Sequence, residues 1–210
     1  MRKLAFDFAD RALFVRLFGG DVYAVGGFVR DLIRGRPSPD VDILVARHEL
    51  AAIVRKLKKH GRVDLVGKSF GIVKFTIKGK TYDVALPRTD RARGEGVRGH
   101  KDILVSADPG LPVEKDLERR DFRTNSMALR LKDGTLIDPF EGRADTLAGK
   151  IRLTNPAAFP EDPLRVVRVA RFASVLGFKV DPAIYPAARA VDLSGLSVER
   201  VNDEMFKVLL

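Results

Sequence analysis

Val25-Gly26-Gly27-Phe28-Val29-Arg30-Asp31, followed after eight intervening residues by Asp40-Val41-Asp42-Ile43, is the stretch whose reading decides the fold. Asp21–Val25 has the length and apolar content of a strand. Gly26-Gly27 turns the chain, and Phe28–Arg34 has helical spacing stopped by Gly35 and Pro37. Glycines let a ligand approach the backbone closely, and the start of the following helix offers unpaired N–H groups that suit phosphate. Arg30 adds a charged donor in the first turn. In a strand over Val41–Ala46 side chains alternate, so Asp40 and Asp42 project together while Val41 and Ile43 face the core. Two carboxylates on one face can seat a pair of Mg²⁺ ions. Taken singly, a Gly-Gly turn or an Asp-x-Asp is often no more than a tight corner or a solvated strand entry. In succession they describe a triphosphate cradle beside a metal pair.

Outward from this stretch, residues 3–18 read as an amphipathic helix and Leu50–Lys59 as another. Three strands follow, Val63–Val66, Ile72–Lys78 and Thr81–Leu86, with Gly79 marking the turn between the last two. Alternation puts Tyr82, Val84 and Leu86 on one face and Asp83 on the other, where a third carboxylate can complete the metal site or take a proton from an attacking hydroxyl. Gly61, Gly67-Lys68-Ser69 imitates a phosphate-binding loop, but five residues separate its glycines instead of four and a strand follows instead of a helix. Residues 88–116 mix arginines, acids, glycines and prolines and read as a long mobile loop, with regular structure resuming near Leu117. Met127–Leu131 and Thr135–Ile137 form a hairpin around Asp133-Gly134. Helical spacing then covers Asp162–Leu176, Pro182–Val191 and Val198 to the end. The expected organisation is an α+β head, residues 1–150, and a helical neck, residues 151–210.

Arg119-Arg120-Asp121-Phe122-Arg123-Thr124-Asn125 groups arginines with small polar residues, a composition suited to phosphate contact. In Glu161-Asp162-Pro163-Leu164-Arg165-Val166-Val167-Arg168-Val169-Ala170-Arg171-Phe172, Asp162 suits an N-cap and Pro163 a first turn. Arg165, Arg168 and Arg171 fall three apart and make one slanted ridge of positive charge. An Asp and an Arg one turn apart offer acceptors and donors to a base edge. The 210 residues carry a formal net charge of +10, which favours a phosphate-rich partner. There is no cysteine, which excludes disulfides, thiolate metal sites and cysteine nucleophiles. No apolar run approaches membrane-span length and no leader pattern opens the chain, so a cytoplasmic protein is expected.

The four segments Val25–Asp31, Asp40–Asp42, Arg119–Asn125 and Glu161–Phe172 resemble, in order and spacing, the signature motifs of class II tRNA nucleotidyltransferases, the CCA-adding enzymes and their CC-adding, A-adding and poly(A) polymerase relatives. The resemblance runs from about residue 20 to residue 210. It implies a DNA polymerase β-like nucleotidyltransferase head followed by a helical neck, adding C or A from CTP or ATP to the 3′ end of tRNA by a two-metal mechanism. By resemblance Gly27 and Arg30 contact the triphosphate, with Gly26 in the same turn. Asp40 and Asp42 hold Mg²⁺, and Arg120 touches the nucleotide. Asp162 and Arg165 read the base edge, and Arg168 and Arg171 support it. Glu199–Lys207 is similar to the segment that ends the family's neck. Arg123 and Ser126 depart from the usual second motif. Family members continue into a helical body and tail that hold the acceptor arm, so a chain ending at Leu210 is expected to bind nucleotide but to hold tRNA weakly. Poly(A) polymerase and a non-catalytic RNA-binding module of the same fold stay open as alternatives.

Overall fold

A computed structural model describes residues 2–38, 40–67, 71–92 and 103–209. A seven-stranded mixed sheet organises the first two thirds of the chain. Its strands are β1 (Val22–Val25), β2 (Asp42–Val45), β3 (Arg62–Gly67), β4 (Ile72–Ile77), β5 (Lys80–Ala85), β8 (Ala128–Arg130) and β9 (Leu136–Ile137). Their order across the sheet is β3-β4-β5-β2-β1-β8-β9. Only β2 and β5 run parallel, and the other pairs are antiparallel. All four residues of β1 are buried, as befits a central strand covered on both faces. In β5 burial alternates, so Tyr82 and Val84 enter the core and Asp83 does not.

Helices α1 (Arg11–Phe18), α2 (Gly27–Ile33) and α3 (Leu50–Leu57) pack on the sheet. In α1 and α3 the buried residues are pairs four apart, Phe14 with Phe18 and Ile53 with Leu57, and in α2 they are Phe28 and Val29. Helix α5 (Gly142–Ala148) follows β9. The elements after it are β10 (Lys150–Ile151), α6 (Leu164–Leu176), β11 (Lys179–Val180), α7 (Ile184–Arg189) and α8 (Val198–Leu209). An apolar cluster gathers Ile151, Leu153, Phe159, Val169, Phe172, Phe178 and Ile184 around the ring of Phe122.

Two sequence expectations are corrected. Helix α1 starts at Arg11, not at residue 3. Leu4, Phe6 and Phe8 alternate with exposed residues, a period of two that belongs to extended chain. Lys3 bridges to Thr135, and Phe6 and Phe8 lay their rings edge-on against Phe28. The region 88–116 is not a loop throughout. Arg88–Ala92 (β6) pairs antiparallel with Ile103–Ala107 (β7), and Val113–Glu118 forms helix α4. Its charges and glycines obscured the β-forming run Ile103-Leu104-Val105 and the buried pair Val113 and Leu117. Residues 93–102 of that stretch, with Arg93 and Arg98, lie outside the described residues, as does Lys68-Ser69. No described helix is long and apolar enough to cross a membrane.

Candidate active site

The antiparallel pairing of β1 with β2 sets Val25 opposite Asp42, so the Gly26-Gly27 turn emerges beside that carboxylate. Gly26 has φ +70° and ψ −129° and precedes α2, a backbone conformation open in practice only to glycine. A Cβ there would lie 2.9 Å from Arg120 Nη1 and 3.8 Å from Asp42 Oδ2. The turn is therefore the floor on which Arg120 and Asp42 meet. Helix α2 has only seven residues, so its dipole is short and the arginines around it carry most of the positive charge.

These groups line a cleft of about 530 Å³. Its walls include Gly26, Gly27, Arg30 and Asp42 from the sheet side, Arg120 from the segment after α4, and Asp162, Arg165, Arg168 and Arg171 from α6 and the turn before it. Every nucleotide-contacting residue expected from the sequence is thus brought to one place. Eight arginines and three aspartates line the cleft, an excess of positive charge suited to a polyanion.

Most of these arginines are held by specific partners. Arg30 forms a fork on Asp31 (2.9 and 2.8 Å) and donates to Asn125 Oδ1 at 2.8 Å, which ties the first motif to the second. Arg168 pairs with Asp121 at 2.6 Å, and Arg171 pairs with Glu204 of α8. Phe172 lies beneath them, with the Arg171 guanidinium 4.1 Å from its ring centre. Arg165 is buried and donates to the carbonyls of Ala158 and Arg119. Asp162 Oδ1 accepts from Leu164 N–H and Arg200 Nη2, each at 3.2 Å. The ridge of positive charge read from the sequence is thus a set of anchored guanidinium groups facing the cleft. Helix α6 begins at Leu164, with Pro163 in the capping position and Asp162 one residue before it.

The two other carboxylates stand apart from the cleft lining. Asp40 is exposed and opens on a neighbouring groove of about 660 Å³ with Arg36, Lys80 and Thr81. Asp83 lies on β5 beside β2 and is ion-paired with Lys74 at 2.7 Å. Both still act on Asp42. Burial among the surrounding atoms pushes the Asp42 carboxyl above its usual range, Arg120 opposes the rise, and Asp83 and Asp40 add to it. Asp42 nevertheless reaches solvent through the cleft. Among the described residues no group of three or more metal-ligating side chains is gathered for an ion. Asp40 and Asp42 offer two hard oxygen donors whose mutual repulsion a cation relieves. Mg²⁺ takes one or two carboxylates together with waters and substrate phosphates, so the donor set fits it.

Arg88, Asp121, Phe172 and Arg200 also line the cleft; Asp121 and Phe172 lie in the motifs read above, but none of the four was given a role from the sequence. Arg88 was hidden in the stretch read as a loop, and Arg200 in the neck-ending segment. The departures at Arg123 and Ser126 point elsewhere. Ser126 Oγ is bonded to Phe122 O and Thr154 Oγ1 in the interior, and Arg123 contacts Leu153 O and Glu141.

A family profile described as the poly A polymerase head domain matches residues 22–152. The chain belongs to that family. Relatives of this head domain include the multifunctional CCA protein of Stenotrophomonas maltophilia strain K279a, 39% identical over 196 residues, which cover 90% of this chain and 46% of that protein. The multifunctional CCA protein of Xylella fastidiosa strain M23 is 38% identical over 194 residues, 89% of this chain and 44% of that protein. The chain thus spans just under half the length of these relatives. Among solved structures, the Bacillus stearothermophilus CCA-adding enzyme in complex with CTP superposes with a TM-score of 0.76 at 34% identity, covering 95% of this chain and 47% of that one. The Thermotoga maritima CCA-adding enzyme complexed with tRNA gives 0.73 at 29% identity, covering 94% and 46%. The α+β head with its mixed sheet is therefore the nucleotidyltransferase head domain expected from the motifs.

Proposed function

We propose that this head domain and its neck transfer nucleotides from CTP or ATP to the 3′-hydroxyl of tRNA. The observation that carries the reading is the single cleft in which the Gly26-Gly27 turn, Asp42, Arg120 and the Arg165–Arg171 face of α6 converge. Each part has a chemical task there. Arg30 and Arg120, beside the glycine turn, hold the triphosphate and balance its charge. Arg165 spends two of its guanidinium N–H groups on backbone carbonyls and keeps others for a base edge, held in place before any nucleotide arrives. Asp162 supplies acceptors for a base amino group. Arg168 and Arg171, fixed by Asp121 and Glu204, keep that wall rigid, so catalysis rests on positioning and charge stabilisation.

Asp40 and Asp42 are the residues that would hold Mg²⁺. Bound there, the ion supplies charge neutralisation and lowers the pKa of the attacking hydroxyl. Asp83, on the adjacent strand, keeps Lys74 beside these carboxylates.

The test is incubation of a tRNA ending at its discriminator base with labelled CTP and, separately, ATP, with Mg²⁺ present. Incorporation of C, A or both supports the reading. Long ATP-only tails on any RNA identify a poly(A) polymerase instead. RNA binding without incorporation identifies a non-catalytic module.

A further inference from the structure

Helix α4, which leads into the second motif, carries a buried charge that neither the motifs nor the mechanism above uses. Asp116, on the last turn of α4, has no solvent exposure. Its Oδ1 accepts from Arg119 Nε (3.0 Å) and Nη2 (2.8 Å), and its Oδ2 from Arg120 Nη2 (3.1 Å) and, more weakly, Nε (3.4 Å). The backbone N–H of Arg88 at the start of β6 approaches the same Oδ1 at 3.3 Å. One carboxylate thus ties together three residues that line the cleft, Arg88, Arg119 and Arg120.

Arg120 is the consequential member. With its Nε and Nη2 turned to Asp116, its Nη1 reaches Asn125 O at 3.3 Å and stands over Gly26, next to Asp42. An arginine has many rotamers, and holding one costs side-chain entropy. Asp116 removes that freedom before any nucleotide binds. Burial alone would raise the carboxyl's pKa, but Arg120 and Arg119 hold it below its ordinary value, so it stays ionised.

We propose that Asp116 is a positioning residue: it fixes the Arg120 guanidinium over the Gly26 turn and so sets the affinity of the cleft for nucleoside triphosphate. The inference rests on the nucleotide-binding reading of the cleft. It makes an unusual prediction of sign. Asp116 lowers the positive charge of the wall, so if charge were its only contribution, removing it would tighten binding of a polyanion. If it positions Arg120, removing it weakens binding.

The experiment is titration of the 210-residue chain with CTP and with ATP in Mg²⁺, for wild type, Asp116→Asn, Arg120→Ala and the double variant, with a thermal melt of each. Asp116→Asn is expected to raise Kd about tenfold, the scale of one misplaced charge-assisted contact. In the Arg120→Ala background the same change is expected to alter Kd less than twofold. Unchanged or tighter binding by folded Asp116→Asn overturns the proposal, as does an equal loss in both backgrounds. Should Asp116→Asn fail to fold, Arg120→Lys serves. It keeps the charge but not the fork on Asp116, and wild-type affinity in that variant overturns the proposal. No nucleotide binding by the wild type is a failure of the underlying reading instead, and no variant data are needed to see it.

Discussion

Gly26 and Asp42 carry opposite relations between stability and use. At Gly26 the positive φ makes any side chain costly, by about 1–3 kcal/mol. The new Cβ would also press on the tip of Arg120. Gly26→Ala is therefore expected to lose stability by about that amount in denaturant titration and to weaken CTP binding beyond what the lost folded fraction explains. Normal affinity in the folded variant would remove Gly26 from the cradle. At Asp42 the folded protein crowds a carboxylate whose pKa is already raised, by burial and then by Asp83 and Asp40 against Arg120. A raised carboxylate pKa means the charged form is less favourable folded than unfolded. Asp42→Asn should consequently melt at a higher temperature than wild type while transfer activity falls to background. A variant with both lower Tm and retained activity contradicts the assignment.

Elements built from regular periods were legible in the sequence, and elements fixed by distant partners were not. The alternation of Tyr82, Asp83 and Val84 and the four-residue spacing in α3 follow from the chain itself. The three-residue spacing of Arg165, Arg168 and Arg171 likewise predicted that they share one face of α6. What that face meets could not be read. Asp121 lies 47 residues before Arg168, and Glu204 lies 33 residues after Arg171, and no local rule links them. Helix α4 was lost because two apolar residues among charges make a weak signal, and with it went the place of Asp116. The α6–α8 contact can be tested directly. Glu204 is nearly buried and binds both Arg171 and Lys207. Glu204→Gln leaves a guanidinium short of its counter-charge and is expected to cost about 1.5–3 kcal/mol in denaturant unfolding. A loss under about 0.5 kcal/mol would mean that apolar packing alone holds α8 on α6.

Across the whole molecule, acid should act through carboxylates whose shifts have opposite signs. The pKa of Asp116 is depressed in the folded state, so its contribution is complete above its ordinary value of 3.8 and is lost as pH falls through the lower folded value. Asp145, raised mainly by burial, works the other way, since its protonation on acidification relieves the folded state. The Tm difference between wild type and Asp116→Asn should therefore be widest near neutrality and should narrow below about pH 4. A gap that stays constant down to pH 2 would show that folding does not depress the Asp116 carboxyl. Phe122 stands between the cleft residues Asp121 and Asn125, yet it is fully buried in an apolar cluster whose other members begin at Ile151. A fragment ending at residue 150 would keep the whole seven-stranded sheet and lose every other member of the apolar cluster in which Phe122 is buried, beside its own candidate cleft. Such a piece should be sticky in solution and poorly shaped where it most needs shape, so a workable dissection has to carry α6 along with the sheet.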